Sequence, residues 1–364
     1  MTRKIKIINF VVSLISVLLS VYLISVLSAE RFAGNTGKLI LFYLLSILIS
    51  SLVCAFIHEL GHLIGAKISR FKIVSFTVWF FRWKRVRNRF DFSLCFPDDT
   101  GATEFYPTTD KNLEKYFAKT TRCGLIFSAI PILFCLPIFF NLNLSLFTFA
   151  LTSCFLPIGL YMLISNAIPL VENGVRNDGA VLRGIKVQDD TTKVMFSMLK
   201  IQAELSNGKS FKDIDEKLFF DVPQLPEDDL YFALILLYRY RFYLDKKDYA
   251  NAKKALERLI SLKKYLPKQF YSEISAERIF YSTVIELNED LADDLMYENE
   301  KFLNNVNDNV TIRAKLGYIS FVKHEKEPFD IFYDKGVKEA KLQHLSGLKT
   351  FELDMLDLIK LKLN

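Results

Sequence analysis

An uncharged, apolar stretch from Leu39 to Ile57 runs directly into the pentapeptide His-Glu-Leu-Gly-His at positions 58–62. A helix of about 20 apolar residues is long enough to cross the hydrocarbon core of a bilayer. Because hydrocarbon offers no water to the backbone, a segment that crosses it must satisfy its hydrogen bonds internally, as a helix does. The pentapeptide is therefore expected near the end of a membrane-spanning helix.

The pentapeptide combines two imidazoles with a carboxylate. His58 and His62 lie four residues apart and so share one face of a helix, with Glu59 beside them. In the HExxH motif, the two histidines bind a zinc ion and the glutamate acts as general base. The alternative is a pair of buried structural histidines with an incidental glutamate. Ionisable groups inside membrane segments are costly and usually functional, which favours the metal site.

Composition indicates two different parts of the chain. Of the 364 residues, 51% are hydrophobic and 24% are charged. This is too apolar for an ordinary soluble protein and too charged for membrane helices alone. We expect a transmembrane domain over residues 1–188 and a cytosolic helical domain over 189–364. Four apolar segments of the first part predict transmembrane spans at about 7–29, 39–66, 123–140 and 144–168.

The distribution of Lys and Arg predicts how these spans are oriented. Residues 67–89 carry eight of them, whereas 141–145 carry none. The positive-inside rule places the N-terminus, the 67–122 loop and the C-terminal domain of this multi-pass cell-membrane protein in the cytoplasm. The first span could instead be a cleaved signal peptide, but its long apolar core favours an uncleaved anchor. The net positive charge follows from this topology, and no nucleic-acid partner is expected.

Between the second and third spans the hydrophobic pattern changes to strict alternation. Apolar side chains alternate with polar ones over 90–96, and alternation also occurs over 74–80. We predict a membrane-associated β-hairpin over about 72–97, with the basic residues of 84–89 at its tip, where lipid phosphates are within reach. The hairpin either pairs with an unwound substrate or serves only as an interfacial anchor.

The C-terminal half contains amphipathic helical segments. Its predicted turns recur about 40 residues apart, which suggests a repeat array. Tyr249, Ala252 and Leu256 are typical of the second helix of a tetratricopeptide repeat. A stacked array of this kind usually offers a concave face to a protein partner. The alternative is a plain helical bundle without a partner.

A catalytic zinc ion needs a third protein ligand. Two motifs follow the fourth predicted span: Asn166-Ala167-Ile168-Pro169 and Asn177-Asp178-Gly179. Together with the pentapeptide at 58–62, they resemble the site-2 protease family of intramembrane zinc metalloproteases, over roughly residues 38–185. Two features depart from the family pattern. The two motifs are spaced more widely here, and the segment 123–128 lacks the Gly-Pro and Asn often found there.

The resemblance implies a set of roles for individual residues. His58, His62 and Asp178 would bind Zn²⁺, and Glu59 would activate water. Asn166 matches an asparagine that the family places near the metal, where it would help to position substrate. From the residues alone, 177–179 is also a good turn sequence and Asn166 a plausible helix cap.

The expected function is that of a zinc endopeptidase that cuts a transmembrane protein or a peptide precursor in or near its membrane segment. One alternative function is that of a membrane-anchored zinc peptidase with a cytosolic site and a glutamate as the third zinc ligand. Glu104 is the nearest candidate for that ligand in the sequence. The other alternative is a non-catalytic membrane scaffold or sensor. The apolar run that leads into His58 favours a site within the membrane.

Overall fold

The computed structural model describes the chain apart from residues 1–6, 8–9, 16, 19–20, 23, 27–35, 87–88, 96–100, 142, 173, 267–269, 305, 326 and 364. The chain folds into two compact units. The first comprises Met1–Tyr106 and Lys111–Asp189, and the second comprises Pro107–Asp110 and Asp190–Asn364. Both units are mainly helical, and the first also contains a four-stranded antiparallel sheet.

Three long helices dominate the first unit: α1 (Thr36–Ile68), α2 (Leu113–Phe139) and α3 (Leu146–Ala167). Over the described residues, these three are the helices long and apolar enough to cross a membrane. Large apolar side chains such as Leu44 and Phe134 remain mostly exposed on them. Such surfaces fit a lipid environment better than water.

One of the predicted spans differs from the helix observed, and another is described only in part. The third, at 123–140, is only the later part of α2, which begins at Leu113. The basic residues in the first turns of α2 interrupt the apolar run, so the sequence placed the start of the span after them. The helix itself begins before these residues. Of the first predicted span, 7–29, the structure describes helix at 10–15 and 24–26, and its remaining parts lie partly outside the described residues. That span stays a prediction.

The sheet lies between α1 and α2 in the sequence. Its strands are β1 (Lys72–Val78), β2 (Phe81–Val86), β3 (Arg89–Leu94) and β4 (Gly101–Tyr106). Their order is β3-β2-β1-β4, and all neighbours are antiparallel. One face packs on α1, because Phe76 and Val78 of β1 are buried against Ala55.

The predicted single hairpin was wrong in its pairing. The segments 74–80 and 90–96 do not pair with each other, because β2 lies between them. The charges of Lys84 and Arg85 suggested a tip, whereas both residues lie within the strand β2. The first turn instead falls at Trp79, which adopts a left-handed conformation with φ of 51° that is unusual for its residue type. Gly101 begins a fourth strand, which the predicted hairpin did not include.

A small hairpin connects α3 to the last helix of the first unit. Strands β5 (Val171–Glu172) and β6 (Val175–Arg176) pair with each other and lead into α4 (Asp178–Val187). The backbone N–H of Asn177 donates to the carbonyl of Leu170 at 3.0 Å. The extra residues between the two sequence motifs therefore form a hairpin, and the two ends of this hairpin lie next to each other.

The second unit is helical, as expected for the C-terminal half. Its helices α5 to α13 are Asp190–Ser206, Lys217–Phe220, Leu230–Asp245, Tyr249–Ser261, Tyr271–Phe280, Glu289–Leu303, Asn309–Phe321, Glu327–Ala340 and Ser346–Leu363. Short 3₁₀ turns lie at Phe211–Asp213 and Lys263–Tyr265, and a π-helical segment, Tyr281–Glu286, continues α9. The helices α7 and α8 are joined by a tight turn at 246–248. The repeat character of the array stays a prediction.

The core of this unit contains a buried ionic network. Arg313 of α11 is fully buried between the rings of Phe280 and Phe351. It forms ion pairs with Glu277 of α9 and, at 3.2 Å, with Glu352 of α13. Burial acts to lower the pKa of the Arg313 guanidinium, but the two carboxylates outweigh it and the pKa is raised. The guanidinium thus stays charged and ties three helices together.

Candidate metal centre

Three potential metal ligands from two distant parts of the first unit meet at one point. His58 and His62 come from α1, and Asp178 is the first residue of α4. The Nε2 atoms of the two histidines lie 3.2 Å apart. Oδ2 of Asp178 lies 3.2 Å from Nε2 of His62 and 3.7 Å from Nε2 of His58. Over the described ranges, this is the one group of three or more such residues that could hold a metal ion.

The donor set fits a metal ion chemically. In a tetrahedral site with bonds of 2.0–2.1 Å, neighbouring ligand atoms are about 3.3 Å apart, close to the three distances observed. Oδ2 of Asp178 is buried and accepts no hydrogen bond. A buried carboxylate oxygen without a partner is costly. A cation held by the three side chains would supply that partner.

The ring of His58 is oriented by α2. Its Nδ1 lies 2.7 Å from the hydroxyl of Ser128. That hydroxyl donates its own proton to the carbonyl of Gly124 at 3.0 Å. Ser128 Oγ therefore accepts from Nδ1–H, and the lone pair of His58 falls on Nε2, which faces the other two ligands. Metal-binding histidines are commonly fixed by a hydrogen bond of this kind.

Close approach of α2 to α1 depends on glycines. A Cβ at Gly124 would lie 2.3 Å from Nε2 of His62. A Cβ at Gly61, inside the pentapeptide, would lie 2.5 Å from the carbonyl oxygen of Cys123. Both positions leave no room for a side chain, so the two glycines let the helices pack at the distance that the site requires.

Asp178 is positioned by its neighbour Asn177. The Asn177 Oδ1 accepts from the backbone N–H groups of Ala180 and Leu170, both at 2.9 Å. Its Nδ2 donates to the carbonyls of Ser165 at 2.6 Å and Ile168 at 2.8 Å. One side chain thus caps the start of α4 and ties it to the end of α3, which fixes the first residue of α4 against the two histidines.

Glu59 lies beside the ligands and is buried. The hydroxyl of Thr103, on β4, is 2.7 Å from Oε2 of Glu59 and 3.2 Å from its backbone carbonyl oxygen. The sheet therefore touches the site directly.

The other two residues considered from the sequence are bonded elsewhere. The side-chain amide of Asn166 donates to the carbonyl of Met162 at 3.0 Å, the capping arrangement of a helix end. Glu104 accepts from the hydroxyl of Ser75 at 2.6 Å and lies 3.5 Å from Arg82. Neither belongs to the group that could hold a metal ion.

Comparisons with protein-family models, with curated proteins and with solved structures find no significant match to this chain.

Proposed function

We propose that this protein is an intramembrane zinc endopeptidase that hydrolyses a peptide bond in or near a transmembrane segment of a membrane protein or peptide precursor. The observation that carries the proposal is the convergence of His58, His62 and Asp178 at the end of an apolar helix, with Glu59 beside them. The resemblance of these motifs to the site-2 protease family points the same way.

Zinc is the metal that best suits these donors. Two imidazole nitrogens and one carboxylate oxygen form a common catalytic zinc set, which leaves a position for water or substrate. When bound, zinc supplies Lewis-acid chemistry that acidifies water and polarises a carbonyl group.

Glu59 does the proton transfer in this proposal. Its carboxylate takes a proton from the attacking water, and the water oxygen bonds to the carbonyl carbon of the scissile peptide. The C–N bond then breaks, and Glu59 delivers the proton to the leaving nitrogen. Burial of Glu59 keeps bulk water away, so the carboxylate acts where its charge is poorly screened.

A membrane helix must unwind before its peptide bonds can be attacked. An exposed sheet edge can pair with the unwound backbone. The strand β4 is at one edge of the sheet and contacts Glu59 through Thr103. We therefore assign substrate pairing to β4, rather than to the segments 74–80 or 90–96 considered from the sequence.

The opposite edge of the sheet suits the membrane interface. Phe90, Phe92 and Leu94 of β3 are each more than half exposed. Basic residues of β2 and β3 accompany them, within reach of lipid phosphates. These side chains support a membrane-associated sheet. We also propose that the sheet lies on the cytoplasmic side, that the chain has four spans in all, and that the second unit is a cytoplasmic, repeat-like domain able to bind a protein partner.

The test is cleavage by purified protein in lipid nanodiscs. The substrates are single-span peptides with a fluorophore and a quencher on either side of the apolar segment. Cleavage that requires Zn²⁺ and is lost in Glu59→Gln supports the proposal. A protein that binds no metal favours the scaffold alternative. Metal binding that depends on Glu104 instead of Asp178 favours the peptidase with a cytosolic site.

A further inference from the structure

The contact between the sheet and Glu59 involves two residues of β4 on the same face. Thr103 and Gly101 are two positions apart, so both point to one side of the strand. Their partners on β1 are Phe76 and Val78, which are buried against α1. The packing of β1 on α1 therefore fixes where β4 meets Glu59.

Thr103 is a donor with few alternatives. Its hydroxyl has one proton, which points to Glu59: Oε2 at 2.7 Å and the backbone carbonyl oxygen at 3.2 Å. Both acceptors belong to Glu59, so the hydroxyl contacts this residue through its side chain and its backbone. A hydrogen bond to a carboxylate is about twice as strong as one between neutral groups.

Gly101 faces the other side of the same carboxylate. A Cβ built there would lie 2.7 Å from Cγ, 3.0 Å from Oε1 and 3.1 Å from Cδ of Glu59, and these are its three nearest atoms. Gly101 is not among the described glycines with positive φ, so its backbone tolerates alanine. What requires glycine at this position is the side chain of Glu59.

We propose that Thr103 is a positioning residue for Glu59: its hydroxyl holds Oε2, Gly101 clears the space beside Oε1, and proton transfer uses Oε1. This inference rests on the proposed function. A glutamate has several rotatable bonds, and a displacement of about 1 Å in a catalytic group can cost about a hundredfold in rate. Thr103 lies on β4, so a substrate strand that pairs with β4 would bind next to the hydroxyl that holds Glu59.

The test compares Thr103→Val, which keeps shape without a hydroxyl, with Thr103→Ser, which keeps the hydroxyl. Thr77→Val is the matched control, because Thr77 is a buried threonine of β1 that pairs with Ala102 and so lies on the opposite face. In the nanodisc assay we expect Thr103→Val to lower kcat by about ten- to a hundredfold with unchanged KM and zinc content. Thr103→Ser should restore most of the rate, and Thr77→Val should leave it unchanged.

A second readout needs no activity. Gly101→Ala should lower the unfolding temperature by about 2–4 °C in the wild-type background, and by much less in Glu59→Ala, where the clashing atoms are gone. Thr103→Val should likewise be coupled to Glu59→Ala, which removes the acceptor carboxylate, in a double-mutant cycle.

Different results would overturn the zinc endopeptidase activity and the positioning role of Thr103. A protein that binds zinc but cuts none of the substrates overturns the proposed function. An active protein in which Thr103→Val keeps the wild-type kcat, in which Thr103→Ser is as impaired as Thr103→Val, or in which the stability changes are additive, overturns the role of Thr103.

Discussion

The carboxylate of Asp178 lies 3.2 Å from His62, and the side chain of its neighbour Asn177 holds the start of α4 against the end of α3. Four hydrogen bonds of one amide thus help to fix where the third ligand lies. In a metal site, groups that orient a ligand matter almost as much as the ligand itself.

Asn177→Ala should therefore weaken zinc binding by about ten- to a hundredfold without removing a ligand. The matched control is Asn166→Ala, because Asn166 lies at the same helix end but bonds only to Met162 in the contacts described above. Competition with a zinc-binding dye on the purified protein measures both affinities. Equal losses in the two variants would mean that Asn177 has no special part in the site.

Gly124→Ala should abolish zinc binding, since the added methyl group would lie 2.3 Å from Nε2 of His62 and must displace that ring. Gly37→Ala is the control, because nothing lies within 4 Å of a Cβ at that position of α1. Metal analysis of both variants, with folding checked by circular dichroism, separates a lost site from a lost fold. Full zinc content in Gly124→Ala would contradict the packing described.

Removal of any one of the three proposed metal ligands should lower the amount of zinc that the protein binds. His58→Ala, His62→Ala and Asp178→Ala should each lower the zinc-to-protein ratio, whereas Glu104→Ala should leave it near the wild-type value. Elemental analysis after dialysis gives the ratio. A ratio that falls in Glu104→Ala and holds in Asp178→Ala would move the third ligand onto the sheet.

Arg313→Met should destabilise the second unit by about 3–5 kcal/mol, because it removes the ion-pair partner of buried Glu352 and leaves buried Glu277 with Arg241 alone, at 3.4 Å, among its ion pairs in the described residues. Lys323→Met removes an exposed ion pair with Asp293 and an exposed contact with the Tyr318 ring, and should leave the stability of the second unit nearly unchanged. Hydrogen exchange of the core amides in the full-length protein reports the difference. Similar protection in both variants would show that the network contributes little.

Local patterns in the sequence predicted the parts of the site that depend on helix periodicity. The spacing of His58 and His62 places both rings on one face whatever surrounds the helix. The apolar runs predicted the long helices because a membrane-spanning segment of about 20 apolar residues must satisfy its backbone hydrogen bonds internally. The proximity of Asp178 rested on a motif, because no local rule brings α4 next to α1.

The residues that orient the ligands could not be found this way. Ser128, Gly124 and Thr103 act only because α2 and β4 approach α1, and that approach depends on long-range packing. Asn177 was visible as a turn residue, but its four partners become apparent only when the hairpin β5–β6 closes. The strand β2 was missed because its basic residues suggested a turn, although they alternate with aromatic side chains that share a face with those of β3.

The role of Glu59 as the general base of a zinc endopeptidase is tested most directly by one rate. This is the rate at which purified Glu59→Gln, fully loaded with zinc, cuts a transmembrane peptide in nanodiscs. The amide keeps the shape of the carboxylate and can still accept from Thr103, but it cannot take the proton of water. We expect wild-type zinc content with cleavage lowered by about a hundredfold or more. Cleavage at a near wild-type rate would contradict this role of Glu59.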